Sequence, residues 1–401
     1  MTEVELFVFL MFAVVVLAGL GLRSGVPYPV ALVLGGLVIG LIPGLPSPRV
    51  DPDIIFFVFL PPLLYAAAIA VSPQELKANW RPISLLAVGL VMVTIAAVAA
   101  VAQALLGIPW AAAVVLGAVL GPTDPVTAAA VLDRLGVTGR TKTILEGESL
   151  VNDATGLTAY RLALAAVAGS AGSVGHVGLE FVEIAVGGAA IGFAAGWVFG
   201  HLRRIVTDPS LDVALSVLTP FVAYVAAEKV GTSGVLATVV AGLYVGARSL
   251  DIIEPGTRLR TVAFWESTAF LLDGLLFVVI GLQVPSIVDR IEGADALTLA
   301  GQALAVTGAV VGVRVLWMIV APILLPSETT RPERIVIAWS GMRGGVSLAA
   351  ALAITTDGFP KRDLVIFVAY AVIVLTLVIP GLTLAPLLRV LGLEEGEEAR
   401  R

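Results

Sequence analysis

Two carboxylates and two arginines lie inside segments that otherwise read as built for lipid. Asp124 sits in Gly121-Pro122-Thr123-Asp124-Pro125, and Asp153 closes Glu148-Ser149-Leu150-Val151-Asn152-Asp153. Arg314 and Arg343 interrupt two later apolar runs. A charge in the bilayer core costs roughly 2.5–3.5 kcal/mol on insertion scales. Charges kept at that cost face a cavity and pair with one another, so these four point to an ion or proton pathway.

The carboxylate-bearing run has helical spacing. Ser149 and Asp153 are four apart, as are Glu148 and Asn152, which makes two adjacent stripes on one helix. A hard cation takes several oxygen ligands. The Asp153 carboxylate, the Ser149 hydroxyl, the Thr123 carbonyl and Asp124, directly or through water, can supply them. Burial favours the protonated form of a carboxylate, and a bound cation favours the ionised form. One carboxylate that takes either a proton or a cation is the core of an exchanger. The competing reading of Asp153 is a structural salt bridge to an arginine. Glu148 and Arg314 are natural partners for a buried ion pair, a structural role. Asn152 beside Asp153 leaves a single negative site, where a second acid would add a charge to move.

These residues need unusual elements to hold them. Gly117, Gly121, Pro122 and Pro125 fall near the middle of an apolar run. Pro125 lacks an amide proton and disfavours helix at Asp124. Gly341-Met342-Arg343-Gly344-Gly345 breaks a second run. Unwound backbone is tolerated in a membrane only where it is buried in protein or lines a wet cavity. Two interrupted helices at corresponding positions of two halves point to a transport site between inverted repeats. Half-helix N-termini carry partial positive charge, which Asp124 would offset; C-termini carry partial negative charge, which Arg343 would offset. Neutralising those dipoles is also the plain structural reading of both residues.

Composition fits this picture. The chain has 401 residues, 58% hydrophobic and 13% charged, with a mean hydropathy of +1.02. Soluble domains carry about 25% charged residues. Cysteine is absent, which removes disulfides, thiol nucleophiles and Cys-based metal sites. His176 and His201 are far apart and make a poor metal site. No basic cluster suggests nucleic acid, and no cofactor is implied. Glu3 and Glu5 precede the first apolar run, so it reads as a retained span and not a signal peptide.

Apolar runs long enough to cross a bilayer predict an all-α polytopic membrane protein with about thirteen spans. They are 4–22, 27–46, 53–70, 82–106, 110–133, 142–169, 178–203, 211–228, 232–247, 260–284, 297–325, 332–356 and 363–391. The expected organisation is one transmembrane domain, 1–391, with repeats at 4–169 and 211–391 joined by the helix 178–203, and a short acidic tail, 392–401. With the N-terminus outside, sixteen Lys and Arg fall on the cytoplasmic side and five outside. That asymmetry predicts N-out, C-in in the cell membrane. Glu266 and Asp273, seven apart, share a face of one span and are expected to partner arginines, with a transport role as the alternative. Arg161 is expected to help hold the bundle.

Taken together, 121–125, 146–153, Phe264-Trp265-Glu266, Arg314 and 341–345 resemble the cation:proton antiporter-1 family. That family includes the NhaP sodium/proton antiporters and the mammalian sodium/proton exchangers, and the resemblance covers nearly the whole chain. It implies a thirteen-helix inverted-repeat fold with two crossed discontinuous helices. It also implies a homodimer and an elevator-like movement of a core domain. On this resemblance Asp153, Asp124, Ser149 and Thr123 surround the ion, supported by Asn152, Glu148, Arg314 and Arg343. The Asn-Asp pair resembles the electroneutral branch, which exchanges one cation for one proton. Two residues depart from the pattern: Ala66 stands where many relatives carry an acid, and Asp273 where many carry Asn.

The expectation is therefore a secondary transporter, not an enzyme, exchanging sodium or lithium for protons. The alternatives are a potassium/proton antiporter, or a cation channel or sensor without coupled turnover. An intramembrane aspartyl protease with an Asp124–Asp153 dyad leaves Ser149, Asn152 and both arginines without a role.

Overall fold

The structure, a computed structural model, describes residues 3–43, 52–169, 174–289, 291, 295–324, 329–354 and 358–393. Arg49, Arg290 and the acidic tail from Glu394 onward lie outside the described residues. Among the described residues the protein is all-helical. In chain order the helices are α1 (Glu3–Ser24), α2 (Tyr28–Gly40), α3 (Ile55–Ala70), α4 (Trp80–Leu106), α5 (Trp110–Leu120), α6 (Val126–Leu135), α7 (Arg140–Val167) and α8 (Val174–Ile205). They continue as α9 (Pro209–Lys229), α10 (Gly234–Ala247), α11 (Pro255–Asp289), α12 (Ala296–Leu324), α13 (Arg331–Trp339), α14 (Gly345–Leu352) and α15 (Arg362–Val390). Short helices Pro73–Ala78 and Ser249–Ile252 lie in connections.

Among the described residues, seven helices are long and apolar enough to cross a membrane, and four shorter apolar helices accompany them. The protein is a multi-pass membrane protein. α7 is not among those eleven, because Lys142, Glu146, Glu148, Asp153 and Arg161 interrupt it, yet its 28 residues span about 42 Å. The longest helix, α11, has 35 residues, about 52 Å, more than the roughly 30 Å hydrocarbon core.

Local chemistry sets many of the ends. Asp208 caps α9 by accepting from the amides of Ser210 at 2.9 Å and Leu211 at 3.0 Å. Ser233 caps α10 through Leu236, and Thr330 with Glu333 forms a capping box at α13. Gly107 and Gly136 close α4 and α6 in the left-handed conformation.

Small residues let the helices approach. A Cβ on Gly36 of α2 would sit 2.2 Å from the Val278 carbonyl oxygen of α11. A Cβ on Gly281 of α11 would sit 1.9 Å from that of Val33. The α2–α11 crossing is therefore backbone against backbone. Within the bundle α7 packs against α4 and α5, with Leu145, Leu150, Ala154 and Leu157 buried.

The two expected breaks occur where the glycines and prolines fall. α5 and α6 are separated by unwound residues 121–125, and α13 and α14 by 340–344. α5 has 11 residues, about 16 Å, so neither half crosses alone.

Candidate functional site

The two breaks touch. The Asp124 amide, orphaned by the unwinding, donates to the Met342 carbonyl at 2.8 Å. Asp124 Oδ1 accepts from the Val126 amide at 2.9 Å, at the start of α6. Its other oxygen lies over Gly344, where a Cβ would come within 1.6 Å of Oδ2. Asp124 thus stands at the N-termini of both α6 and α14. Arg343 stands at the opposite ends: Nε donates to the Leu120 carbonyl at 3.0 Å, the end of α5, and Nη1 donates to the Gly341 carbonyl just past α13. Each charge faces the helix ends of opposite partial sign.

The glycines of the second break each clear a side chain. Gly341 makes room for Arg314, whose Cδ would lie 2.3 Å from a Cβ there. Gly344 admits Asp124, and Gly345 admits Leu276 of α11. On the other flank Gly156 of α7 receives Pro122, with Cγ 2.2 Å from a hypothetical Cβ.

A buried polar chain ties α7 to the first break. Arg314 Nη1 and Nη2 donate to Glu148 Oε1 and Oε2 at 2.5 and 2.8 Å, and Arg314 Nε donates to the Ile337 carbonyl at 3.0 Å. Thr123 Oγ1 donates to Glu148 Oε1 at 2.9 Å. Asn152 Nδ2 donates to the Thr123 hydroxyl at 2.9 Å and to its carbonyl at 3.1 Å. The Thr123 carbonyl is not left free by the break, because Asn152 occupies one of its two acceptor positions. Asn152 is a clamp on the unwound chain as well as an uncharged neighbour of Asp153.

Asp153 is different. It is 7% exposed and makes no hydrogen bond or ion pair among the described residues. It faces a cavity of about 520 Å³ that Thr123, Asp124, Ser149, Glu266 and Asp273 also line. The salt bridge offered as its alternative role is not present. Oxygens of several kinds facing one cavity are the donor set of a hard cation. Ala66 lines the same cavity, so an acid there would project into it. Neither Glu266 nor Asp273 makes an ion pair among the described residues, in contrast to the expected arginine partners. From the carboxylates the cavity runs to Asp133, Glu146, Ser249 and Arg258, at the end of the bundle where the Arg- and Lys-rich loops lie.

One feature escaped the sequence reading. Arg203, counted with the loop cations, is 2% exposed and donates to Asp212 at 2.8 and 2.7 Å through Nε and Nη2. The short α8–α9 turn brings the pair together, and the nine-residue spacing across Asp208-Pro209 was its available signal. Arg161, by contrast, does brace helices, donating to Glu228 of α9 at 2.6 Å.

A helical membrane bundle in which two unwound segments meet beside a buried, unpaired carboxylate has the architecture of a secondary transporter. The transmembrane sodium/hydrogen exchanger family matches residues 9–390, and the chain belongs to that family. It is 39% identical to an uncharacterized Na+/H+ exchanger of Mycobacterium tuberculosis, over 95% of this chain and 73% of that protein. It is 32% identical to the Na+/H+ antiporter NhaH of Halobacillus aidingensis, over 92% of each. A sodium, potassium, lithium and rubidium/H+ antiporter of Bacillus pumilus is 34% identical over 90% of this chain and 58% of that protein. The fold is that of the sodium proton antiporter from Methanocaldococcus jannaschii, with a TM-score of 0.81, 98% of this chain and 100% of that one covered, and 19% identity.

Proposed function

We propose that this protein exchanges sodium for protons, one for one, with Asp153 as the carboxylate both occupy in turn. The observation that carries the reading is Asp153 itself, buried at 7% exposure, without a hydrogen-bond or ion-pair partner among the described residues, and facing a cavity shared with Asp124, Ser149 and Thr123. A buried carboxylate is tolerated when something neutralises it. A cation does so on one stroke and a proton on the other.

Ionised Asp153 takes sodium together with Asp124, Ser149 and the remaining acceptor position of the Thr123 carbonyl. The loaded site is neutral and crosses; the ion leaves, a proton replaces it, and the neutral site returns. A bare charged site crosses poorly because of its desolvation cost. Asn152, Glu148, Arg314 and Arg343 hold the two breaks in place and carry no ion. On one side of the cavity lie the first break with α6, α7 and α14, which bear the site, while Ala66 of α3, Val245 of α10 and Asp273 of α11 form the facing wall. An elevator movement carries the first set past the second. With the N-terminus outside, the cavity opens to the cytoplasm. Two inverted repeats, 4–169 and 211–391, and a homodimer complete the proposal.

Proton flux driven by a sodium gradient in sealed proteoliposomes tests it. Sodium should drive protons uphill, and Asp153→Asn, inserted and folded, should abolish this. Dissipative flux alone would instead support a channel. Potassium should be run in parallel, because the Bacillus pumilus relative carries potassium, lithium and rubidium in its name.

A further inference from the structure

The cavity opens at one end of the molecule, and its two sides are tied together toward the other. On α7 it is lined by Glu146, Ser149 and Asp153. Beyond Asp153, Leu157 and Tyr160 are buried in the apolar core, so the carboxylate is shut off in that direction. Arg161 lies eight residues past Asp153, about 12 Å along the helix. Its Nη2 donates to both carboxylate oxygens of Glu228 at 2.6 Å. Its Nη1 reaches the Thr232 carbonyl at 3.5 Å.

The partners belong to opposite sides of the cavity. Arg161 is on α7, which carries Asp153. Glu228 ends α9, which packs on α3, α10 and α11, the helices of the facing wall. Glu228 is seated there independently of Arg161: its Oε1 accepts from the Gly234 amide at 3.0 Å, at the start of α10. A Cβ on Gly234 would come within 2.7 Å of that same oxygen, so the glycine keeps the seat open. The wall therefore presents an anchored acid, and α7 reaches it with one long arginine. The pair is only partly covered, 41% exposed at Arg161 and 19% at Glu228. An ion pair this wet is weak. It adds little to the stability of a fold, yet it biases two conformations that lie close in free energy.

We propose that Arg161 and Glu228 form a clasp that favours the present, one-sided opening of the cavity and parts in every transport cycle. The inference rests on the elevator movement proposed above. A slide of α7 along the wall by more than a helical turn, about 5 Å, draws the guanidinium away from its anchored partner. The clasp thus stabilises one end state and not the other.

The test exploits a chain without native cysteine. Leu157→Cys reports the opposite end state, because the position is buried now and meets water at the Arg161 end only after the slide. Its reaction with a membrane-impermeant maleimide is followed from that side in sealed vesicles of known orientation. Arg161→Gln should speed labelling about threefold. Glu228→Gln should do the same, and the two together should do no more than either alone. In a second protein, Arg161→Cys with Glu228→Cys, the unbridged pair should still exchange sodium for protons. Bridging it with a short bis-methanethiosulfonate should stop exchange, and reduction should restore it. Labelling indifferent to either single substitution, or exchange undiminished in the bridged protein, would reveal a static brace and overturn the proposal. So would a Leu157→Cys that never reacts, which would deny the slide itself. Absence of exchange in the wild-type protein would instead refute the proposed function, and the labelling would still decide on the clasp.

Discussion

Asp153 and Glu148 lie five residues apart on α7 and have opposite fates. Glu148, 1% exposed, is fully engaged by Arg314 and Thr123; Asp153 has only the cavity. Replacing Arg314 with Met should strand the Glu148 charge and cost about 3–5 kcal/mol, read as a lower melting temperature. Adding Glu148→Gln should restore much of it. An Arg314→Met protein as stable as wild type would contradict the network. Asn152→Asp should cost about 1–3 kcal/mol before it changes any stoichiometry, because a carboxylate cannot donate to the Thr123 carbonyl and hydroxyl. Unchanged stability would mean the clamp is dispensable. The stripes on α7 were legible from four-residue spacing. The Asn152 clamp was not, because it depends on where an unwound chain twenty-nine residues earlier comes to rest.

At the scale of elements, the breaks were legible because proline and glycine act locally through the backbone. Their meeting is a long-range fact, fixed by the hydrogen bond from Asp124 to Met342. The glycine run at 341–345 reads in sequence only as a helix breaker. In the structure each of Gly341, Gly344 and Gly345 is also a vacancy for a side chain from elsewhere. Gly344→Ala should drive a methyl group into the Asp124 carboxylate, part the half-helices, and abolish exchange in protein that still inserts. Gly301→Ala on α12 is the control: nothing lies within 4 Å of its Cβ, and helix propensity favours Ala by about 1 kcal/mol. Full exchange by Gly344→Ala would show that the two breaks need not stay in register.

For the whole molecule, hydropathy placed most spans within a few residues. α7 is among them, expected at 142–169 and found at Arg140–Val167, although its charges dilute its apolar character. Loop charge suggested an orientation but could not show the pairing of Arg203, since a buried arginine held by Asp212 looks in sequence like a loop cation. The sidedness of the cavity is directly measurable, because the chain lacks cysteine. Ser249→Cys lines the cavity mouth and should react with a membrane-impermeant maleimide from the cytoplasmic side. Asp363→Cys, where the native side chain is 55% exposed at the other end, should react only from outside. Labelling of both from one side would refute the proposed topology.

In the proposed cycle cation and proton share one carboxylate, Asp153. The most direct measurement is the apparent sodium KM of exchange in proteoliposomes as a function of pH, with the membrane voltage clamped at zero. Competition for Asp153 predicts a KM that rises by about tenfold per pH unit on the acid side, with a maximal rate that sodium can restore. A KM that stays constant across that range would place the proton and the cation on different groups and contradict the account.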